Sequence, residues 1–254
     1  MNWPKKTLEK EREAHFNFFG KEFDLSGFKE TLEKYGQVRV EEWKNLLLES
    51  HFLPKVEMAR KADFPGFKIR PDNHCYETVY RGKVLRMIDG ELKPDKKAHW
   101  LLGQTVLIDT RLKPAYDNGR RMWQNDNFLG PIIENLRQRG KIKNCEYGPS
   151  SSRFEVSDLE WDHQIRPALA QKLNLSSFRL ERVAEAVVIP QLYPHMLRRD
   201  DGTTNTWVWY EEFFEDRSKR LVGGDSGYGG LADVIWDCSG NHWSGRSFRP
   251  LAVL

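Results

Sequence analysis

Thr204-Asn205-Thr206-Trp207-Val208-Trp209, Lys219-Arg220-Leu221-Val222-Gly223-Gly224-Asp225-Ser226 and Arg246-Ser247-Phe248-Arg249-Pro250 are the stretches on which the reading of the fold turns. Trp207-Val208-Trp209-Tyr210 is an aromatic, apolar run of strand length. From Gly223 to the end, glycine and small polar residues dominate, broken by Trp236, Trp243 and Phe248. Upstream, Phe178-Arg179-Leu180-Glu181-Arg182 alternates as a half-buried strand does, and Val187-Val188-Ile189 is apolar and β-branched.

Further toward the N-terminus, Gln104-Thr105-Val106-Leu107-Ile108-Asp109 reads as a buried strand. Pro131 to Arg139 reads as a short helix stopped by Gly140. Ser157-Asp158-Leu159-Glu160 fits a capping box. It opens a helix with Trp161, Ile165, Leu169 and Leu173 on one stripe, and Pro167 is placed to kink it. The first part of the chain reads as helices: Thr7 to Phe23, then Ser26 to Tyr35 with Gly36 as its stop, then residues 40–49, broken by His51-Phe52-Leu53-Pro54. Pro65-Gly66, Pro71-Asp72 and Asp89-Gly90 mark turns in an irregular connector. The expected organisation is a helical region and connector over residues 1–99 and a second unit over 100–254.

The chain has 254 residues, 39% hydrophobic and 30% charged, with 14 Phe, 9 Trp and 8 Tyr to bury. A long disordered chain does not have this composition. No apolar run approaches the roughly 18 residues of a membrane helix, so no span is expected. Met1-Asn2-Trp3-Pro4-Lys5-Lys6 lacks the apolar core of a signal peptide. The expectation is therefore cytoplasmic. A net charge of +3, dispersed along the chain, gives no reason to expect nucleic acid as a partner. Cys75, Cys145 and Cys238 are odd in number and far apart, which suits free thiols. The seven histidines lie apart in sequence, so none has metal-ligand spacing. No acidic cluster with calcium-ligand spacing appears in the tail. No cofactor or metal is expected.

Phosphate-loop, zinc-protease, esterase-elbow and dinucleotide motifs are absent. One short enzyme-like pattern remains. Asp72 after Pro71, with Glu91-Leu92-Lys93, matches the loose arrangement of metal-dependent nucleases. There Asp72 and Glu91 would hold a divalent ion and Lys93 would sit near the attacking water.

The tail carries a more specific pattern. Trp207, Trp209, Gly223, Gly224, Phe248 and Arg249 match, in order and spacing, motifs of the C-type-lectin fold in its formylglycine-generating-enzyme branch. Those motifs are a G-N-V-W-E-W strand, an R-x-L-x-G-G-S strand and a closing G-F-R-P strand. Ser247 stands where that branch has glycine, and Asp225 intrudes before Ser226. The resemblance implies an α+β fold, with mixed antiparallel strands and two helices in a C-terminal lectin-like domain after a mainly helical N-terminal part. The oxidase activity is not implied, because those enzymes use a cysteine pair near the C-terminal end and only Cys238 lies in this region.

The tail is also similar to the variable proteins of diversity-generating retroelements, which carry this fold and rewrite its last strands and loops at template adenines. Codons rewritten this way never yield Glu, Lys, Gln, Met or Trp. Residues 223–245 contain no Glu, Lys, Gln or Met. Trp236 and Trp243 would then be fixed scaffold. The resemblance implies a hypervariable, non-catalytic binding surface made of Asp225, Ser226, Tyr228, Asp233, Ile235, Asp237, Cys238, Asn241, His242 and Ser244, with 247–254 as the constant end. The implied partner is a variable ligand, a protein or surface structure, with surface display or phage association as a second setting beside the cytoplasm. A structural protein that uses the same fold for packing is the remaining alternative.

Overall fold

A computed structural model describes residues 3–59, 62–68, 83–112, 114, 122–123, 125–196, 206–224 and 234–254. The fold is α+β with two mainly antiparallel sheets. Helices α1 (Lys5–Phe19) and α2 (Ser26–Asn45) lead. They are followed by strands β1 (Leu48–Glu57), β2 (Val84–Ile88), β3 (Glu91–Pro94) and β4 (Trp100–Asp109), then helix α3 (Leu129–Gln138). Residues 158–173 form a kinked helix, α4. Strand β5 (Phe178–Leu180) and helix α5 (Val183–Leu192) precede β6 (Trp207–Phe214), β7 (Asp216–Gly223), β8 (Val234–Cys238), β9 (Arg246–Phe248) and β10 (Pro250–Val253).

The first sheet has the order β1-β4-β10-β5 and the second β3-β2-β6-β7-β8. Strand β6 organises the second. One of its edges pairs with β7. Its other edge takes β9 in parallel at Trp207 to Trp209 and β2 antiparallel at Phe213 and Phe214. The described parts of the three quoted stretches therefore lie side by side.

These strands are apolar runs because both of their faces are buried. Successive side chains point to opposite faces, and here they enter two different cores. Val106, Ile108, Val208, Tyr210, Leu221 and Leu251 enter one, with Phe18, Phe19 and α5. Leu107, Trp209, Val222, Phe248 and Ala252 enter the other, with Trp43 and the α4 stripe. In that stripe Trp161, Ile165 and Leu169 are fully buried. The expected capping box is present, with Ser157 Oγ accepting from Glu160 N and Glu160 accepting from Ser157 N. The kink ahead of Pro167 takes the form of a π-helical turn, Trp161–Ile165. Proline has no N–H and crowds the carbonyl four residues back, so the helix widens before it.

Gly36 (φ 78°, ψ 158°) stops the first helical segment as expected, and α2 comprises two helical segments on either side of it. Two local expectations change. His51-Phe52-Leu53-Pro54 lies within β1, an edge strand whose partner is β4, and Pro54 is tolerated there because an edge can forgo one N–H. Val187-Val188-Ile189 is helical. Arg182 N donates to Glu185 Oε2 and Val183 N to Glu212 Oε2, so two carboxyl oxygens satisfy backbone donors at the start of α5. Uniform burial then suits its β-branched residues. Strands β1 to β3 also fall within residues 1–99, read above as helices and connector. Because β1 pairs with β4 and β2 with β6, the parts before and after residue 99 share both sheets.

Four arginines, Arg153, Arg182, Arg220 and Arg249, are almost wholly buried. Arg153 donates to Asp109 Oδ2 (2.6 Å) and to both oxygens of Asp126 (2.5 and 2.9 Å). Arg111 donates to Asp109 Oδ1 (2.8 Å), and Arg249 donates to the carbonyls of Asp109 and Arg111. Burial opposes ionisation of Asp109, but Arg153, Arg111 and Arg249 outweigh it and hold the carboxyl at about 2. Arg153→Leu leaves two carboxylates buried without their partner, so it is expected to destabilise the protein by roughly 3–5 kcal/mol. Urea unfolding would measure this, and a loss below about 1 kcal/mol would contradict the role given to the network.

Glu212 behaves in the opposite way. Burial pushes its carboxyl up to about 7; Arg182 opposes this, and Asp95, Glu185 and Glu211 add to it. The folded state then keeps a proton that the unfolded chain releases near 4.5. This group's contribution to stability is complete below that value and is lost as pH rises through 7. Glu212→Gln is fixed in the neutral form. Its stability relative to the parent is expected to rise between pH 4.5 and 7.5, as read from urea midpoints across that range.

Candidate binding surface at the edge of the C-terminal sheet

The described part of the tail segment comprises β8, the turn after it and the run into β9. Strand β8 is the outer strand of its sheet and pairs with β7 in the register Lys219↔Cys238, Arg220↔Asp237, Leu221↔Trp236 and Val222↔Ile235. Its alternation splits the candidate residues. Ile235 and Asp237 share the face of Val222 and Arg220, whereas Trp236 and Cys238 share that of Leu221 and Lys219. Asp225, Ser226, Tyr228 and Asp233 lie outside the described residues.

The turn is held from outside itself. Ser239 N donates to the Ser218 carbonyl (2.7 Å). Gly240 N and Ser239 Oγ donate to the two oxygens of Asp158 (2.7 and 2.6 Å). Asp158 is the first residue of α4, and Gly240 takes a left-handed φ of 86° that suits glycine. His242 Nε2 lies 3.0 Å from Glu160 Oε2, the other end of the capping box. The sequence signal that starts α4 thus also anchors the turn.

Asp237 works within this frame. It pairs with Arg246 and accepts from Cys238 N (2.7 Å) and Asn241 Nδ2 (3.1 Å). Ile235 is half-buried against the second core. Cys238 is an exposed free thiol, and Asn241, His242 and Ser244 are partly exposed. Both tryptophans reach solvent, Trp236 at 43% and Trp243 at 57% exposure. Each keeps one supported face. Trp236 stacks parallel to Phe214 with Lys219 Nζ 4.6 Å from its ring centre. Trp243 has the Arg246 guanidinium 5.3 Å from its ring, and that group also lies 5.2 Å from buried Trp209. Ser247, the departure from the lectin-like motif, accepts a hydrogen bond from Trp123 Nε1 (2.7 Å). A glycine could not supply that partner.

Of the nuclease-like residues, Glu91 and Lys93 lie on β3, exposed and ion-paired with each other at 2.9 Å. Asp72 lies outside the described residues.

One cluster had no signal in the sequence. His51 on β1 and His195 after α5 both approach Glu49. His195 Nε2 is 2.9 Å and His51 Nε2 3.4 Å from Glu49 Oε2. His51 Nδ1 lies 3.0 Å from buried Glu11 Oε2. Burial opposes charge on His51, but Glu11 and Glu49 override it and raise its pKa to about 9. Hydrogen bonds from His195 and His51 hold Glu49 well below the usual carboxylate range. His51 and Glu49 are alternate residues of one strand, which is local and readable. Their meeting with His195 depends on tertiary packing alone.

Comparison with protein-family models, with curated proteins and with solved structures gives no match.

Asp158→Ala removes two acceptor oxygens from the turn. Faster amide hydrogen exchange at Gly240 is expected, by tenfold or more, because a net hydrogen bond to a charged group contributes about 1.5–3 kcal/mol. Unchanged exchange there would show that the turn does not rely on α4.

Proposed function

We propose that this chain is a ligand-binding protein, without catalysis, whose C-terminal lectin-like surface is diversified by a retroelement to bind variable partners. The observation that carries the reading is the division of labour around residues 238–242. The anchors at Ser239 N and Gly240 N are backbone donors. They do not depend on which side chains the neighbours carry. Cys238 and Ser244 can therefore change at little cost, and Asn241 and His242 each give up a single partly exposed contact, to Asp237 and Glu160.

The exposed tryptophans add to this. A diversifying codon cannot encode tryptophan, so Trp236 and Trp243 would be constant, and each is braced on one face by a cation or ring. Rigid aromatic anchors ringed by adaptable polar groups are the chemistry of antibody-like paratopes. Asp237 and Ile235 support this surface from within, the first by holding Arg246 and Asn241 and the second by packing on the core. Among the described residues no helix is long and apolar enough to cross a membrane.

Two experiments test the reading. DNA beside the gene should hold a near-copy of the codons for residues 223–254, differing at adenines, next to a reverse-transcriptase gene; its absence would refute diversification. Cys238→Ser, Asn241→Ala and His242→Ala should each cost within about 0.5 kcal/mol, a shift of at most about 2 °C in Tm for a chain of this size. Losses several times larger would make these residues framework and remove the surface from them.

A further inference from the structure

We propose that Glu49, His51 and His195 form a binding site for a divalent transition-metal ion, with Zn²⁺ the best fit, in the cavity between α1, α2, β1 and the turn after α5. Among the described residues these three offer ligand atoms that all lie within 4.8 Å of one another. A tetrahedral ion with bonds of about 2.0–2.2 Å requires ligand atoms roughly 3.3–3.6 Å apart. The separations from Glu49 Oε2 are 2.9 and 3.4 Å, and the two imidazole nitrogens lie within 4.8 Å of each other, so side-chain adjustments of about 1 Å or less admit one. Two imidazoles and one carboxylate select zinc and its neighbours over calcium or magnesium, which prefer all-oxygen sites.

Support behind the ligands separates this cluster from an ordinary surface ion pair. Ligating histidines are usually oriented by a carboxylate on the other ring nitrogen. Here that carboxylate is Glu11, which is buried and fixed by further donors: Phe52 N (2.7 Å) and the Tyr193 hydroxyl (2.6 Å). The His51 ring also packs on the Tyr193 ring, 3.8 Å between centres. His51 Nε2 is thereby aimed at Glu49 and the cavity. Charge balance points the same way. Glu11 and Glu49 bring two acidic groups to the site, and a divalent ion would offset both charges.

The cavity has a volume of about 920 Å³ and is lined by Glu49, His51 and His195 together with Lys6, Lys10 and Lys44. Three protein ligands leave a fourth position, which a water or an anionic group from the cavity would fill. Glu11 and Glu41 also line the cavity; with Glu11 turned to His51, the three lysines outnumber Glu41 and favour an anion on that side. The site is independent of the C-terminal surface and of the function proposed for it.

The test uses the full chain, stripped with a chelator and dialysed. Zn²⁺ titrated by calorimetry is expected to bind one ion per chain, and Co²⁺ to give the intense visible bands of a four-coordinate site. His195→Ala is expected to weaken Zn²⁺ at least 100-fold and abolish the cobalt bands. The His195 side chain is 55% exposed, so the metal-free Tm of this variant should match the parent's. Glu49→Gln is the second variant, and His99→Ala, altering another histidine–glutamate pair, should leave binding unchanged. Absence of binding by the folded parent at millimolar Zn²⁺ would overturn the proposal. Equal affinity in the parent and His195→Ala would also overturn it, by placing the ion elsewhere.

Discussion

The buried contact between Arg153 and Asp109 is the constraint on which the arrangement of this chain depends. Asp109 ends β4, a central strand of the first sheet. Its side chain meets Arg153, from the segment before α4, and Arg111. Its carbonyl meets Arg249, between β9 and β10. Charged groups withdrawn from water are costly, and the cost is offset only when every partner is in place. The network therefore penalises alternative arrangements of these distant segments more than it rewards the native one. An apolar core of the same volume would tolerate sliding, whereas directional hydrogen bonds at 2.5–2.9 Å do not.

With those segments fixed, two-sided burial becomes workable. A strand buried on both faces has no polar side by which its register could be read. Val106-Leu107-Ile108 would bury equally well if shifted by one residue. The polar ends of the strands remove that ambiguity. Asp109 fixes the end of β4, Arg249 the junction of β9 and β10, and Arg220 ties β7 to Asp162 of α4 (2.7 Å). Specificity thus resides in a few buried ions, while burial of the aromatic and aliphatic residues supplies most of the driving force.

Features controlled by local chemistry were legible in the sequence. The Ser157–Glu160 capping box, the kink ahead of Pro167, the strand ending at Asp109 and the aromatic strand at Trp207 all depend on neighbours a few residues away. Features decided by tertiary partners were not. Val187-Val188-Ile189 has strand propensity, but Glu212, from a strand that follows later in the chain, supplies an acceptor at the start of α5 and tips it to helix. Residues 40–49 read as a helix and His51-Phe52-Leu53-Pro54 as its break, and only pairing with β4 makes 48–57 a strand. The resemblance in the tail was carried by scaffold residues, so the surface beside them was only partly legible. Alternation puts Cys238 and Asp237 on opposite faces of β8, but which of them faces the second core depends on which face of β7 meets it. The Glu49–His51–His195 cluster was invisible for a similar reason. Histidines far apart in sequence show no ligand spacing, and their convergence is set by how α5 packs on β1.

The two candidate sites share a topological cause. Strand β1 closes one edge of the first sheet and β8 one edge of the second. Strands β4, β6 and β10 and the end of β7 feed both cores and leave little accessible face. Side chains free to meet a ligand arise more readily at the margins, where one flank of the strand has no neighbour in the sheet among the described residues. Such margins are a hazard, since unpaired backbone groups invite pairing with another chain. This protein occupies both with polar groups held in fixed positions. At β8 these are Asp237, with Arg246 and the turn, and at β1 they are Glu49 and His51, with Glu11 behind them. The groups that guard an edge against another chain are already ordered and only partly exposed. They can therefore recognise a ligand with little further loss of conformational entropy.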